Sequence, residues 1–206
     1  MDKIDCKKEF KDLYRPSSKK VAEVDVPDFN FLLVDGMGDP NTSQDYKDAV
    51  EALFTVSYTL KFMIKKGKQA VDYSVMPLEG LWWADDMKSF VAGNKNLWKW
   101  TAMIMQPKFI TEALFRETVE QAKKKKNLPA LPKLRFECFH EGLSAQILHI
   151  GPYSAEKATV EKIHAFIKEN GGELTGKHHE IYLNNPGKVA PEKLKTIVRQ
   201  PMTKKS

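Results

Sequence analysis

The chain has 206 residues, of which 42% are hydrophobic and 29% are charged. This composition supplies a hydrophobic core and excludes disordered, collagen-like and low-complexity proteins. The mean hydropathy is −0.47, and no apolar run approaches the roughly 20 residues that a membrane-spanning helix needs. We therefore expect a soluble globular protein, built as one large domain or as two small, closely packed halves.

The positive charge of the chain raises the question of nucleic-acid binding. The formal net charge is +6 at pH 7, and clustered lysines are typical of phosphate-binding surfaces. The densest run, Lys123–Lys126, lies at the end of a predicted helix, where the helix dipole favours cations. No helix-turn-helix, zinc-finger or RNA-binding aromatic pattern is present. We expect solvated basic faces and no direct binding to nucleic acid or to a membrane.

The amino-terminal residues and the cysteines both favour a cytoplasmic location. The first twenty residues alternate acidic and basic side chains and lack the apolar block of a secretory signal. The two cysteines have no metal-ligand spacing, and a chain of this length does not need a disulfide bridge. We predict two free thiols in a reducing cytoplasm, with Cys138 in the core and Cys6 in a polar segment without a role.

The first half begins with a predicted strand, a turn and a long helix. Phe29–Asp35 is a compact apolar run that ends in the glycine-rich turn Gly36–Pro40. Thr42 or Ser43 is the predicted N-cap of a helix that closes near Gly67. The residues at helical spacing are Tyr46, Ala49, Val50, Leu53, Phe54, Ser57, Tyr58, Lys61 and Phe62.

Two more strands and a helix complete the first half. Ala70–Met76 and Leu97–Gln106 are predicted strands, and Pro107 stops the second one. The segment Pro77–Asn96 between them is a long, loop-like insertion. A second helix follows, with Thr111 as its N-cap, and extends to the lysine run.

The second half has a similar order of elements. Arg135–His140 and Leu143–Ile150 are predicted to form a hairpin, and Ser154 is the predicted N-cap of a helix that ends at Asn170–Gly172. The last two predicted strands are His178–Leu183 and Leu194–Gln200, the second stopped by Pro201.

This repetition predicts an α+β fold made of two duplicated β-α-β-β units. The segment WTAMIMQP in the first half corresponds to KTIVRQP in the second. Because neither unit has enough core to fold alone, we expect the units to pair about a pseudo-twofold axis with a ligand groove between them. The expected organisation is a single domain over residues 1–206, with halves at about 20–127 and 133–203, a flexible amino-terminal segment and a carboxyl-terminal tail.

Glu180 is the first candidate site residue, because it lies in the middle of a predicted strand beside apolar Ile181. Alternation along a strand places Glu180 and Tyr182 on the same face. A buried carboxyl group has a raised pKa, which suits either a cationic ligand or general-base catalysis. The alternative is a surface strand whose Glu180 and Tyr182 face water. Tyr153 would add a second phenol, unless its ring only packs over the helix that follows.

The four tryptophans of the chain, Trp82, Trp83, Trp98 and Trp100, fall in two short segments. Trp98 and Trp100 alternate onto one strand face, whereas adjacent Trp82 and Trp83 point in different directions. Aromatic walls bind flat ligands by stacking and bind cations through the ring quadrupole. The alternative is an aromatic core cluster.

The histidines give no support for a metal site. Their positions, His140, His149, His164, His178 and His179, show neither a zincin motif nor a Cys/His spacing. We therefore expect metal-free chemistry and no cofactor.

Several segments of the chain resemble known families. ILHIGPYS, HHEIYLNNP and LKTIVRQP resemble the GyrI-like small-molecule-binding domain, which also serves as the effector domain of multidrug-responsive regulators, and the resemblance covers nearly the whole chain. VDGMGDPN, MPLEGLWW and KWTAMIMQP resemble a stand-alone subfamily, the cyclopropanoid cyclopropyl hydrolases. The resemblance implies SHS2-type units with a glutamate, matched here by Glu180, that faces the ligand groove. No DNA-binding domain accompanies the module, so a regulator's role is not expected.

The resemblance to that subfamily implies detoxification of DNA-alkylating cyclopropanoids by hydrolytic opening of the cyclopropane ring. The tryptophans and Tyr153 would bind the flat substrate, a tyrosine such as Tyr182 would donate a hydrogen bond to the oxygen that gains negative charge, and Glu180 would position or deprotonate the attacking water. Two alternatives remain: a non-catalytic module that sequesters drugs or cations, and a protein-interaction role like that of relatives that protect DNA gyrase. The sequence leaves the natural ligand and the oligomeric state undetermined.

Overall fold

The computed structural model describes residues 3–68, 70–85 and 94–204. These residues form a mixed α+β structure, as the sequence predicted, and it contains nine strands and five helices. The strands are β1 (Ala22–Val26), β2 (Phe29–Met37), β3 (Leu78–Trp83), β4 (Lys99–Gln106), β5 (Arg135–Phe139), β6 (Gly142–Ile150), β7 (Gly172–Leu174), β8 (His178–Tyr182) and β9 (Lys195–Lys204). The helices are α1 (Cys6–Glu9), α2 (Lys11–Tyr14), α3 (Gln44–Lys66), α4 (Glu112–Lys125) and α5 (Lys157–Glu169).

The chain order contains the predicted β-α-β-β pattern twice, first as β2-α3-β3-β4 and then as β6-α5-β8-β9, with the short β7 inserted. The predicted helix caps of the first half are also present. The Ser43 side chain accepts a hydrogen bond from the Tyr46 backbone N–H at 3.2 Å, and Thr111 accepts one from the Leu114 N–H at 3.4 Å. In the second half, Tyr153–Ala155 forms a 3-10 turn and α5 begins at Lys157, so the predicted N-cap Ser154 is wrong.

Two strand predictions in the first half are wrong. Ala70–Met76 forms no strand, and Tyr73 makes only an isolated bridge to Ile4. The neighbouring Asp72 is instead tied to α3 by ion pairs with Lys61 and Lys65. The strand β3 instead lies inside the segment predicted to be a loop. The sequence analysis missed it because LEGLWW lacks the alternation that marks a half-buried strand.

Two predictions about the second half are also wrong. The hairpin does not form, because β5 pairs with β2 whereas β6 pairs with β1 and β9. β9 also passes through Pro201, which lies opposite Ser144, and ends at Lys204. Proline removes only an N–H from the ladder. The Pro201 carbonyl still accepts a hydrogen bond from the Thr175 N–H at 2.9 Å.

The cysteines are placed opposite to prediction. Cys6 is 4% exposed, whereas Cys138 lies on the solvent side of β5 and is exposed. Helix α3 also differs from prediction, because Tyr58 and Phe62 remain about half exposed. The buried face of α3 consists of Ala49, Ala52, Leu53, Val56, Ser57, Leu60 and Ile64.

The chain divides into two compact units. Unit 1 comprises Met1–Cys6, Phe29–Leu78 and Trp83–Phe139, and unit 2 comprises Lys7–Asp28, Glu79–Trp82 and His140–Ser206. In unit 1, β2 lies between β4 and β5, and α3 packs against β2 and β4. In unit 2, β9 lies between β6 and β8, and α5 packs against β6 and β9. The core of unit 2 contains Ala145, Ile147, Ile163, Ile167, Val198 and Met202.

None of the helices in the described part of the chain combines the length and the apolar character needed to cross a membrane.

Candidate functional site

Strand β8 presents Glu180 and Tyr182 on one face, as predicted from alternation. The Tyr182 hydroxyl donates a hydrogen bond to Glu180 Oε2 at 2.7 Å, and His178 Nε2 lies 3.1 Å from Glu180 Oε1. The face that carries these three residues is partly open, and the Glu180 side chain is 16% exposed. The opposite face, with His179 and Ile181, is fully buried. The Glu180 carboxyl group is therefore fixed by hydrogen bonds on a strand face that is partly exposed.

Trp82 of β3 extends this hydrogen-bonded chain within unit 2. Its indole Nε1 donates to the Tyr182 hydroxyl at 3.1 Å, and the side chain is only 4% exposed. Gly80 makes room for the ring, since a Cβ at this position would lie 2.7 Å from Trp82 Nε1. The Tyr182 hydroxyl therefore accepts from Trp82 while it donates to Glu180, which fixes the direction of both hydrogen bonds.

Glu156 is a site residue that the sequence analysis missed. It lies directly before α5, is 6% exposed, and its carboxyl group interacts electrostatically with that of Glu180. Its Oε1 is buried and, among the described residues, accepts no hydrogen bond. An ionised carboxylate is costly in such surroundings, so Glu156 is held as the neutral acid.

The two carboxyl groups have pKa values shifted in opposite directions. Burial and the negative charge of Glu180 raise the pKa of Glu156 to about 9. Burial also acts to raise the pKa of Glu180, but the hydrogen bond and charge of His178 and the hydrogen bond from Tyr182 outweigh it, so that pKa lies below its ordinary value. At neutral pH the pair therefore holds one proton, on Glu156. This is an arrangement of an acid and a base at one site.

Tyr153 lies beside this pair. Its ring meets the Tyr182 ring edge-on, with centroids 5.7 Å apart, and the residue is 39% exposed. Burial, the charge that Glu156 gains at high pH and the negative charge of Glu180 raise the pKa of Tyr153 to about 12. The hydroxyl therefore keeps its proton at neutral pH and can donate it in a hydrogen bond.

The other three tryptophans belong to unit 1. Trp100 is 1% exposed, contacts Tyr46 edge-on at a centroid distance of 5.0 Å, and packs against Gly36, where a Cβ would overlap its ring. Trp83 and Trp98 are half-buried, and Lys95 Nζ lies 5.5 Å from the ring centroid of Trp98. Trp100 is thus a core ring, and ligand-binding roles for these three tryptophans stay predictions.

Within residues 3–68, 70–85 and 94–204, no three His, Cys, Asp or Glu side chains are arranged to hold a metal ion.

Comparison with known proteins places the chain in a family. No curated protein matches it. A conserved protein and a hydrolase, both from Listeria innocua, are each 40% identical to it over 98% of this chain and 100% of theirs, with TM-scores of 0.89 and 0.85. The EcmrR C-terminal domain, at 12% identity, has a TM-score of 0.55 over 90% of this chain and 98% of its own, which shows a shared fold. The family model of the GyrI-like small-molecule-binding domain matches residues 19–201, and the chain belongs to that family.

Proposed function

We propose that this protein binds flat, hydrophobic xenobiotics and hydrolyses the cyclopropane ring of DNA-alkylating cyclopropanoids. Membership of a small-molecule-binding family and the 40% identity to a Listeria innocua hydrolase support this proposal. The observation that carries it is the Glu156–Glu180 pair, two electrostatically linked carboxyl groups whose pKa values are shifted in opposite directions, with Glu180 on a partly exposed strand face. A site that only binds a neutral flat ligand has no need for such a pair.

The reaction adds one water across a strained carbon–carbon bond. The water oxygen bonds to a ring carbon, that carbon's bond to the rest of the cyclopropane breaks, and the electron pair moves through the conjugated dienone to its oxygen. Glu180, as the carboxylate, accepts a proton from the water, and the dienone oxygen gains one to become a phenol. The neutral Glu156 supplies the proton that balances this second step.

The two tyrosines have different roles in this proposal. The Tyr182 hydroxyl is committed to Glu180 and Trp82, so it orients the base. Tyr153 is partly exposed and stays protonated at neutral pH, so it is suited to donate a hydrogen bond to the substrate oxygen. Trp83 and Trp98 are half-buried, and their roles as stacking surfaces stay predictions.

A non-catalytic function is the second candidate. The ionised Glu180 beside the Tyr153 and Tyr182 rings also matches a cationic aromatic ligand, which needs charge and aromatic contact but no activated water. Such a protein would sequester its ligand unchanged. Formation of a product therefore separates the two functions.

The test is to incubate the purified protein with a cyclopropapyrroloindole-type alkylator in oxygen-18 water and to follow the labelled water adduct by mass spectrometry. We expect the wild type to form the adduct and Glu180→Gln and Glu156→Gln to lose at least 100-fold in rate, as is typical when a general acid or base is removed. Glu169→Gln, an exposed glutamate on α5, is the matched control and should keep the wild-type rate. An unchanged rate in Glu180→Gln contradicts its role as the base. No adduct, with tryptophan fluorescence still quenched by the compound, favours sequestration.

A further inference from the structure

On the buried face of β8, His179 belongs to a second group of polar and charged side chains that the proposed mechanism does not use. This group, the buried ion network, consists of Tyr14, Glu79, Glu141, His179 and Arg199, all in unit 2. The side chains of its four charged members are each 1–2% exposed. Because isolated buried charges are costly, a network of this size must be internally paired.

The geometry around His179 determines its protonation state. Its Nδ1 lies 2.8 Å from Glu141 Oε1, and its Nε2 lies 3.0 Å from Glu79 Oε2. A carboxylate oxygen only accepts hydrogen bonds, so both ring nitrogens must donate and both must carry a proton. His179 is therefore an imidazolium. Burial lowers its pKa, but the charges and hydrogen bonds of Glu141 and Glu79 outweigh this and raise it to about 9.

The other members close the network. Arg199 donates to Glu141 Oε2 at 2.8 Å and to Gln146 Oε1 at 3.0 Å, and the Tyr14 hydroxyl donates to Glu79 Oε1 at 2.9 Å. Two carboxylates thus face two cations, so the network is balanced only while His179 keeps its positive charge.

The amino-terminal segment completes this arrangement. The Leu13 carbonyl accepts from Arg199 at 3.0 Å, and the Asp12 carbonyl accepts from Gln146 at 2.6 Å. The match to the family model begins at residue 19, so residues 12–14 lie outside the matched domain. A segment outside the matched domain therefore helps to hold Arg199 and Gln146, and with them the buried ion network, in place.

We propose that His179 is a positioning residue for the Glu156–Glu180 pair: its fixed positive charge, one residue from Glu180 on β8, adds to the effect of His178 and Tyr182 and helps to keep Glu180 ionised and the shared proton on Glu156. The consequence for catalysis rests on the proposed function, whereas the charge state of the pair does not. The other titratable groups around Glu180 are His178 and Tyr182 on β8 and Tyr153 and Glu156 before α5. Of the two histidines in this set, His179 has both ring nitrogens hydrogen-bonded to carboxylates on the buried side of the strand, whereas His178 Nε2 lies against Glu180 itself.

The first test measures the charge of His179 in the wild-type protein. Nitrogen-15 NMR of the wild-type protein at pH 8 reports whether each ring nitrogen of His179 carries a proton, with the signal assigned by its loss in His179→Gln. We expect both nitrogens to be protonated at this pH, where an unperturbed histidine is neutral. A neutral His179 ring would overturn the proposal.

The second test removes the positive charge without leaving the network unbalanced. The double variant Glu79→Gln/His179→Gln loses one anion and one cation and leaves Glu141 paired with Arg199. The matched control is Asp28→Asn/His140→Gln, an exposed pair at 2.6 Å that undergoes equivalent substitutions. Carbon-13 NMR of the Glu180 carboxyl group as a function of pH is the readout, with near-UV circular dichroism to verify folding.

We expect the Glu180 titration to move to higher pH in the first double variant and to stay in place in the control, and the acid limb of the hydrolysis profile to move with it. An unmoved titration in a folded variant refutes the role of His179. If the wild type forms no product but the titration moves, the proposed hydrolysis fails and the positioning role stands. If the double variant does not fold, a neutral His179 ring in the wild type still overturns the proposal.

Discussion

At the residue level, Glu156 and Glu180 carry different charges because their neighbours differ. His178 and Tyr182 provide hydrogen bonds to Glu180, whereas the buried Oε1 of Glu156 accepts none among the described residues. Two neighbouring carboxyl groups repel each other when both are ionised, so an ionised Glu180 favours a neutral Glu156. One side-chain type thereby provides both an acid and a base at the same pH.

The raised pKa of Glu156 predicts a pH-dependent loss of stability. Folding raises this pKa to about 9. The stability linked to the Glu156 proton is therefore fully present below the ordinary glutamate pKa of the unfolded chain, and it is lost as the pH rises from there through the raised pKa of the folded protein. We expect Glu156→Gln to remove this loss, which is on the order of a few kcal/mol. Urea unfolding at pH 5 and pH 9 should show a smaller fall in the free energy of unfolding for the variant. Glu169→Gln should behave as the wild type, and equal falls in all three proteins would contradict the prediction.

The candidate site was predictable from the sequence only where local pattern determines it. Alternation in HHEIYL placed Glu180 and Tyr182 on one face, and the structure has them there. Glu156 gave no such signal, because an acidic residue near a helix amino terminus is ordinarily explained by the helix dipole. Its electrostatic interaction with Glu180 joins residues 24 positions apart in the sequence, and spacing alone does not reveal such an interaction.

At the level of elements, α2 is a four-residue helix whose importance lies in what it anchors. Its Tyr14 is 3% exposed and donates to Glu79, which in turn holds His179. A segment this short has little intrinsic helical stability. Its place in unit 2 therefore depends on tertiary contacts such as this hydrogen bond.

We expect Tyr14→Phe to lower the free energy of unfolding by about 1–3 kcal/mol, because it leaves the buried Glu79 carboxylate with one hydrogen bond fewer. The control is Tyr58→Phe on α3, which removes a hydroxyl from a residue that is 47% exposed. Urea unfolding at neutral pH measures both. Equal stabilities for the two variants would show that the Tyr14 hydroxyl does not anchor α2.

The elements that were predicted correctly carry strong local signals. The start of α3 follows from its Ser43 cap, and the end of β4 follows from Pro107. β3 was missed because buried strands lack alternation. The predicted end of β9 at Gln200 was too early, because proline removes only one backbone N–H from the ladder and β9 tolerates this loss at Pro201.

At the level of the whole molecule, the net charge of +6 acts on a charged ligand before any contact forms. Long-range repulsion of a cation is screened by salt over a Debye length of about 8–10 Å, whereas the partly buried Glu180 is screened much less. The two candidate functions therefore differ in how ionic strength affects association. A neutral cyclopropanoid does not respond to the overall charge, but a cationic drug does.

We expect the association rate of ethidium, a flat aromatic cation, to rise several-fold when the salt concentration is raised from a few millimolar to physiological strength, because screening removes the repulsion. The rate for an uncharged cyclopropanoid should stay constant over the same range. Stopped-flow fluorescence measures both rates, with Glu180→Gln as the variant that removes the local attraction. If the ethidium rate instead falls with salt in the wild type and loses this dependence in Glu180→Gln, the local field of Glu180 dominates the approach of cations. That result would favour cation sequestration over hydrolysis, because a protein that attracts cations against its own net charge has a site suited to bind them.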